Sequence, residues 1–296
     1  MVDVREIKSF KLTPFTKMSA SIYGILGLIG SILMLIVLAF LQATGVIHHL
    51  GQFNLVTGLG IPLIVLLPIG AFLSTIVVSF VSVMLYNALV PKLGGVKLEL
   101  EGNEVENIPV ISFSLILSAI EAIWAFVVGL VLAAVISPLF SLIGAISTMP
   151  AAANITANIT NVSGATMPTG AEIGTAGILM SLVLIIGLPI IVFVFGFIWN
   201  ALFAILYNYI VTRVAKIQLE FGQITGNLHE LKHIPVLPTA LAVALVYMLL
   251  GLIGILSGNY GEFISNFIIY FIETALIAIL YNYLAPKIGS IKLNLE

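Results

Sequence analysis

Two carboxylates lie within stretches of the chain that are otherwise apolar, and they could do chemistry inside a membrane. Glu121 and Glu273 each lie about 12 residues, or ~18 Å along a helix, from the charged end of their stretch. A carboxylate is costly in hydrocarbon, so each should face protein or a water-filled cavity. One interpretation is a proton or small-cation site. The structural alternative is a protonated or hydrogen-bonded side chain, with a neighbour such as Trp124 or Thr274.

A second pattern is typical of a metal site. His229, Glu230 and His233 have the H-E-x-x-H spacing, which on a helix brings two imidazoles to one face for zinc and supplies a carboxylate as base. Pro235, however, biases the residue before it away from helical conformation. A membrane zinc peptidase is therefore the least favoured hypothesis, and we expect no enzyme activity, no metal and no cofactor.

A Tyr-Asn pair occurs three times, each time with a basic residue six positions after the tyrosine. The pairs are Tyr86-Asn87, Tyr207-Asn208 and Tyr281-Asn282. Tyrosine suits the headgroup level of a membrane, where its ring is buried and its hydroxyl meets water. Asparagine can bond to the end of a neighbouring helix. We therefore expect the pairs to anchor the membrane interface rather than to bind a ligand.

The composition decides which kind of molecule must position these residues. Hydrophobic residues make up 60% of the 296 residues and charged residues only 8%, whereas a soluble domain carries about 25% charged residues. The mean hydropathy is +1.22. The chain is thus expected to be an integral membrane protein, which excludes a soluble enzyme and a disordered chain. The 11 basic and 13 acidic residues leave no cationic footprint for nucleic acid, and the absence of cysteine excludes disulfides.

Six apolar stretches are long enough to cross a hydrocarbon core, which takes roughly 20 helical residues. They lie near 18–42, 59–87, 109–136, 178–208, 236–256 and 264–284. Only helices satisfy every backbone group within such a segment, so the membrane part is expected to be all-α. The second and fourth stretches are longer than needed, and tilt or kinks at Pro62, Pro68 and Pro189 should absorb the excess.

The basic residues set the orientation. All 11 precede the first stretch or follow the second, fourth and sixth: Arg5, Lys8, Lys11, Lys17, Lys92, Lys97, Arg213, Lys216, Lys232, Lys287 and Lys292. The positive-inside rule makes that side cytoplasmic. We therefore predict a multi-pass protein of the cell membrane with both termini in the cytoplasm. The first stretch is read as a retained span and not as a cleaved signal.

The opposite side is predicted to carry a long loop, roughly 137–173, rich in small and polar residues. It contains three N-x-S/T sequons, at Asn154, Asn158 and Asn161. Three sequons on the predicted exterior make glycosylation plausible where the host glycosylates, although the pattern alone is weak.

The recurring pairs divide the chain into three units of two spans each, at 1–101, 102–220 and 221–296. After each pair comes an alternation of apolar and polar residues that is typical of a β-strand, over 96–100, 217–221 and 291–295. A lone short strand is marginal, so we expect these strands, with 7–12, to form a small cytoplasmic sheet or to lie on the membrane surface. Copies with an even number of spans are parallel, which predicts a pseudo-threefold arrangement.

The ending of the first unit carries a resemblance. Tyr86-Asn87, then Gly94-Gly95 and an alternating strand, resembles a bacterial two-helix transmembrane domain of unknown function. The match is best over 1–101. The second unit departs from it, with Ala215-Lys216 in place of Gly-Gly. Members of that family carry one such unit, so the resemblance implies a triplicated version of their fold and no assigned activity.

The sequence therefore predicts an all-α membrane protein of six transmembrane helices, as three parallel two-helix repeats with a small cytoplasmic β element. The leading functional hypothesis is a non-enzymatic structural, scaffold or assembly protein. Its partners would be membrane lipids, other membrane or cytoplasmic proteins, and further copies of itself. The main alternative is a channel or transporter for protons or small cations that uses Glu121 and Glu273.

Overall fold

The structure is a computed structural model that describes residues 2–44, 58, 60–147, 170–256 and 258–296. The chain forms two compact bodies. One consists of residues 1–116 together with 201–296, and the other of residues 117–200.

Five of the described helices are long and apolar enough to cross a membrane. They are α1 (Leu12–Ala43), α2 (Ile61–Leu93), the span Val110–Ile143 within α3 (Val110–Ser147), the span Thr175–Arg213, and α8 (Glu262–Ile288). Large apolar side chains cover their surfaces: Phe195, for example, is 68% exposed. An apolar surface of this extent needs lipid around it, so the protein is a multi-pass membrane protein.

The span Thr175–Arg213 contains a break in its α-helical hydrogen bonding. It consists of α4 (Gly170–Leu182), a π-helical turn (Val183–Gly187) and α5 (Leu188–Tyr209), followed by a 3₁₀ turn (Val211–Arg213). Pro189 follows the π turn and has no N–H to donate to the turn before it, which explains why the helix is irregular there. The other expected break differs, because Pro68 lies inside the continuous helix α2.

The fifth predicted span, 236–256, is shorter in the structure than the sequence suggested. Helix α6 (Val236–Gly251) has 16 residues and is followed by the single turn α7 (Ile253–Leu256). Gly251 and Gly254 let α8 approach closely at this point, because a Cβ atom at either position would overlap the first turn of α8, at Phe263 or Glu262. Hydropathy continues through these glycines and does not reveal that the helix stops.

A six-stranded antiparallel sheet lies at one end of the helices. Its strands are β1 (Asp3–Phe10), β2 (Lys97–Glu101), β3 (Glu104–Asn107), β4 (Glu220–Thr225), β5 (Leu228–His233) and β6 (Lys292–Leu295). Their order is β3-β2-β1-β6-β5-β4. The expected small sheet is therefore present, and it contains two strands, β3 and β5, that the sequence analysis did not predict.

The two outermost strands of this order meet each other. Glu104 in β3 forms a β-bridge with Gln218, two residues before β4. The N–H of Val105 donates to the C=O of Ile217 at 2.9 Å, and the N–H of Leu219 donates to the C=O of Asn103 at 2.8 Å. We call this junction the seam. Through it the two ends of the strand order are joined, because the segment that leads into β4 is hydrogen-bonded to β3.

Alternating side chains give the sheet one apolar and one polar face. The buried members of the apolar face are Ile7, Leu98, Leu100, Val105, Leu231, Leu293 and Leu295. Leu231 packs in a core cluster with Met18 of α1 and Tyr281 of α8. Burial of these side chains fixes the register, because a shift by one residue would exchange the two faces. The helix ends and the sheet are thereby joined in one core.

Every Lys and Arg lies within the described residues, and all 11 lie in the sheet or in the segments and helix ends that adjoin it. Lys17, for example, is in the second turn of α1, and Lys287 is in the last turn of α8. The sheet end of the helices is therefore the basic end.

Candidate functional site

The tyrosine of the first Tyr-Asn pair is inserted into the pairing of two strands. The N–H of Ile7 donates directly to the C=O of Val96 at 2.9 Å. In a regular antiparallel pair the Val96 N–H would donate back to the Ile7 C=O. Here the Tyr86 hydroxyl stands between them: it accepts from the Val96 N–H at 2.9 Å and donates to the Ile7 C=O at 2.7 Å. One side chain of α2 thus replaces a rung of the ladder between the strands before and after its helix pair.

The neighbouring asparagine holds the entry to the first helix. The Asn87 side-chain amide donates to the C=O of Phe10 at 2.9 Å, and its Oδ1 accepts from the Phe10 N–H at 2.9 Å. Phe10 is the last residue of β1, two residues before α1. Both functions of the amide are used on one backbone residue, which fixes the strand-to-helix junction against α2.

The second pair makes the same set of bonds. The Tyr207 hydroxyl donates to the C=O of Val105 at 2.5 Å and accepts from the N–H of Ile217 at 3.0 Å. Asn208 binds the N–H and C=O of Ile108, both at 2.9 Å. The bridged rung is the one at the seam.

The third pair repeats the arrangement again. The Tyr281 hydroxyl donates to the C=O of Leu231 and accepts from the N–H of Ile291 at 3.2 Å. Asn282 binds the N–H and C=O of Ile234 at 2.9 and 2.8 Å. In all three places the residue held by asparagine comes three positions after the residue held by tyrosine. We call each set of bonds a Tyr-Asn clamp.

The clamps differ from the sequence expectation of hydroxyls that meet water at the headgroup level. Tyr86, Tyr207 and Tyr281 are 5%, 0% and 1% exposed, and their hydroxyls bind backbone. The anchor interpretation was wrong in this respect, because a strand at the helix end offers backbone groups where the sequence analysis assumed water. A tyrosine spaced ten residues before an alternating segment is the signal that could have indicated this role.

A glutamate lies next to each clamp, one residue before the strand residue that the tyrosine holds. Each glutamate bonds to the residue nine positions after that tyrosine. The pairs are Glu6 with the Gly95 N–H at 2.7 Å, Glu104 with the Lys216 ammonium at 3.0 Å, and Glu230 with the Ser290 hydroxyl at 2.7 Å. A carboxylate therefore occupies the same register position three times, with a different donor each time.

Among the charged side chains next to the clamps, those at the seam form the closest ion pairs. Lys216 bonds to Glu106 as well as to Glu104, and these hydrogen bonds, that to Glu106 first, raise the pKa of Lys216. At the first clamp, burial opposes the ionisation of Glu6, but the Gly95 N–H and the nearby Lys8 lower its pKa overall. The carboxylates of the sheet are thus held as acceptors within the structure.

Glu121 lies against another helix of the second compact body. Its Oε1 accepts a hydrogen bond from the Asn200 amide at 3.2 Å. A Cβ atom at position 196 would overlap Oε2 of Glu121, so Gly196 provides the room for the carboxylate. The side chain is exposed in the chain itself. Its partner is Asn200, and neither Trp124 nor Thr274 donates this bond.

Glu273 is half-buried in α8 and close enough to the hydroxyl of Tyr23 in α1 for an electrostatic interaction. The two predicted carboxylates belong to different compact bodies. Each carboxylate therefore has its own partner, and neither body contains both of them.

The H-E-x-x-H segment is the strand β5 and not a helix. Residues four apart on a strand are about 13 Å apart, whereas zinc binds each imidazole at ~2.0–2.1 Å. His229 instead contacts the C=O of Asn227 at 2.9 Å, and His233 lies 3.6 Å from Glu220. Among the described residues, no group of three or more His, Asp or Glu could hold a metal ion. The segment therefore lacks the helical arrangement of two imidazoles on which the zinc-peptidase hypothesis depends.

Several predicted features lie outside the described residues. They are the sequons at Asn154, Asn158 and Asn161 and most of the predicted loop that contains them.

The two strands that sequence reasoning missed follow a recognisable signal. Gly102-Asn103 connects β2 to β3, and Gly226-Asn227 connects β4 to β5. The glycines have φ values of +63° and +53°, which a two-residue hairpin requires and which glycine adopts at little cost. Gly-Asn between two short segments is a hairpin signal in its own right.

Comparison of the chain with models of known protein families, with curated proteins and with solved structures gives no match. What the molecule does has therefore to be inferred from its own residues.

Proposed function

We propose that this protein consists of three parallel two-helix units, at 1–101, 102–220 and 221–296, whose ends form the closed sheet with pseudo-threefold symmetry. The three clamps support this proposal because they join equivalent atoms at equivalent spacings. On this view α6 and α7 together make the sixth crossing. The chain is then a triplicated form of the bacterial two-helix domain that its first unit resembles.

The sheet faces the cytoplasm of a cell-membrane protein in this proposal, and both termini lie there. The location of all 11 basic residues at the sheet end supports this orientation through the positive-inside rule.

The function that the geometry supports best is a non-enzymatic scaffold or assembly protein. The observation that carries this proposal is that three clamps fix three helix pairs to one closed sheet, which makes the sheet a rigid platform. Its polar face carries the exposed apolar residues Val4 and Ile224, which are 56% and 40% exposed. Rigid surfaces with a few exposed apolar groups suit protein partners, since little order has to be gained on binding.

Photo-crosslinking in living cells tests the scaffold. A benzophenone side chain at Val4 or Ile224 should give discrete protein adducts, of the same mass at both positions. The matched control is Ile69 of α2, which is 50% exposed and should give lipid adducts only. Absence of protein adducts at both sheet positions would rule out a platform for partners.

A proton or small-cation channel or transporter is the second candidate. It is favoured by the position of Glu121, a carboxylate within an apolar helix that is hydrogen-bonded to Asn200, since ionisable residues inside membrane spans mark ion and proton pathways. In liposomes, wild-type protein should carry protons or Na⁺, and Glu121→Gln and Glu273→Gln should abolish the flux. Glu262→Gln, at the first residue of α8, is the control. If liposomes with wild-type protein leaked protons and Na⁺ no faster than empty liposomes, the transport hypothesis would be wrong and both carboxylates would be structural.

A further inference from the structure

The basic residues of this protein fall into two sets. Those of the sheet and its seam are Arg5, Lys8 and Lys216, which form ion pairs with carboxylates, and the strand residues Lys97, Lys232 and Lys292, which form none within the described residues. The helix-end set consists of Lys11, Lys17, Lys92, Arg213 and Lys287. These five side chains are all exposed, and in the part of the chain that the structure describes none of them has a carboxylate at ion-pair distance. The sheet carries more carboxylates than cations, whereas the five helix-end cations have no carboxylate at ion-pair distance within the described residues.

A shallow cleft begins at Leu93, the residue that follows Lys92 in the chain. It measures about 460 Å³ and lies between the end of α2 and the start of α3. Its walls include the apolar side chains of Leu93, Ile111 and Leu115, and Lys97 lies among its lining residues. Ile111 is 73% exposed. An apolar wall and one cation, Lys97, thus line this junction, and the exposed Lys92 comes directly before the lining residue Leu93.

A second cleft, of about 470 Å³, lies at the corresponding junction between the end of α5 and the start of α6. Its lining includes Arg213 and Val214, which follow α5, and Leu237 and Leu241 of α6. Glu104 and Lys216 also line it, and the carboxylate of Glu104 is paired with the Lys216 ammonium at 3.0 Å. Leu237 is 66% exposed. It lies three positions after Ile234, which Asn282 binds, just as Ile111 lies three positions after Ile108, which Asn208 binds. The same combination of cation and apolar wall therefore occurs twice.

Lys287 is the third cation at this position, six residues after its clamp tyrosine. Its ammonium lies 3.4 Å from the centroid of the Tyr283 ring. This contact orients the ammonium but leaves its charge uncompensated, because the ring carries no net charge.

We propose that the helix-end cations bind the phosphate groups of anionic phospholipids, one beside each of Lys92, Arg213 and Lys287, while the upper acyl chain lies against the exposed apolar residues. The charge complementarity is direct, since free cations at the end of an apolar helix meet the headgroup layer. The apolar walls of the two clefts distinguish a lipid from a free anion. This inference is independent of the scaffold proposal and of the cation-transport alternative.

The test uses the full-length protein in a neutral detergent, titrated with short-chain phosphatidylglycerol and followed by native mass spectrometry. Wild type should bind the anionic lipid in preference to phosphatidylcholine of the same chain length. The variant Lys92→Gln/Arg213→Gln/Lys287→Gln should bind it with about fivefold lower affinity per site, the effect of one cation near an anionic surface. Inorganic phosphate should not compete at equal concentration.

The matched control is Lys8→Gln/Lys232→Gln/Lys292→Gln, which removes the same charge from the sheet and should bind as wild type does. The conservative variant Lys92→Arg/Lys287→Arg keeps the charge and should retain binding, which separates loss of a site from loss of folding. If both triple glutamine variants lost the same affinity for the anionic lipid, the proposal would be overturned, because net charge and not the helix-end positions would then determine binding. Full competition by inorganic phosphate would overturn it in favour of a free-anion site.

Discussion

The tyrosine hydroxyl of each clamp is bonded on both sides within a strand pair. It accepts from one strand and donates to the other, and it brings with it a ring that is buried in the core. A direct backbone bond would pair the strands equally well but would not attach them to a helix. The clamp therefore couples the register of the sheet to the position of the second helix in each pair.

Removal of one clamp hydroxyl should destabilise the protein. In Tyr207→Phe the N–H of Ile217 and the C=O of Val105 lose their partner in a buried site. An unsatisfied buried group costs about 1–3 kcal/mol. We expect a clearly lowered Tm, by a similar amount for Tyr86→Phe and Tyr281→Phe, measured by thermal unfolding in detergent.

The control for this prediction is Tyr209→Phe, because Tyr209 is 67% exposed and follows the clamp tyrosine by two positions. Its Tm should equal that of wild type. If the three clamp variants behaved like Tyr209→Phe, the hydroxyl bridges would contribute nothing to stability.

At the scale of elements, the seam depends most on side chains. Its ladder consists of a single bridge, and Lys216 adds contacts to Glu104 and Glu106 of β3. In Lys216→Met these two glutamates would face each other without a cation. We expect faster proteolysis or hydrogen exchange in β3 and β4 than in β1 and β6, with recovery when Glu104→Gln is added.

The pH dependence of the seam follows from the raised pKa of Lys216. A basic group with a raised folded-state pKa contributes its full stability below the unfolded value, near 10.5, and loses it as the pH rises through the folded value. The difference in Tm between wild type and Lys216→Met should therefore stay constant from neutral pH to about pH 10 and shrink above it. A difference that already vanished at pH 8 would contradict the ion-pair account of the seam.

The Gly-Asn turns should be intolerant of a side chain. Gly226 has a φ of +53°, and this left-handed conformation costs other residues about 1–2 kcal/mol. Gly226→Ala should therefore lower the Tm. Gly30→Ala is the control, because Gly30 lies in α1 with open space around it and without a positive φ. An equal effect of the two substitutions would contradict the turn geometry.

The sequence predicted the long helices, and its predicted strands overlap four of the six, because hydropathy and period-two alternation are local patterns. The overlap with β4 is only 220–221, since residues 217–219 form the seam instead. The sequence analysis missed β3, which contains one apolar residue, Val105, among glutamates and asparagine, and β5, whose histidines matched a metal motif. It also extended the fifth span past Gly251. These features depend on contacts with distant segments, namely the clamp bonds and the close approach of α8, which spacing along the chain does not show.

At the scale of the whole molecule, three junctions join neighbouring strands around the sheet. Gly102-Asn103 and Gly226-Asn227 form two of them, and the third is the pairing of β6 with β1, where Ile7 lies opposite Leu295. The chain termini thus occupy the place of a hairpin. This arrangement explains how one chain can close a sheet that three separate two-helix units would otherwise form together.

A circular permutant should therefore fold. Joining Glu296 to Asp3 through a short linker that contains Gly-Asn, and opening the chain between Gly102 and Asn103, preserves all three clamps. We expect unchanged helix content by circular dichroism and a Tm within a few degrees of wild type. A permutant opened inside β2 is the control and should be unstable, since it interrupts a strand. Failure of the first permutant alone would argue against equivalent junctions.

The most direct test of the central claim, that all helix pairs return to one side, is thiol labelling of single cysteines in this naturally cysteine-free chain. Cysteines at Asn103 and Asn227 report the two hairpin turns, and one at Tyr260 reports the opposite end of α8. The account predicts that a membrane-impermeant maleimide reaches the two turns only in inverted vesicles and position 260 only in intact cells. Reaction of the two turns from opposite sides would contradict it.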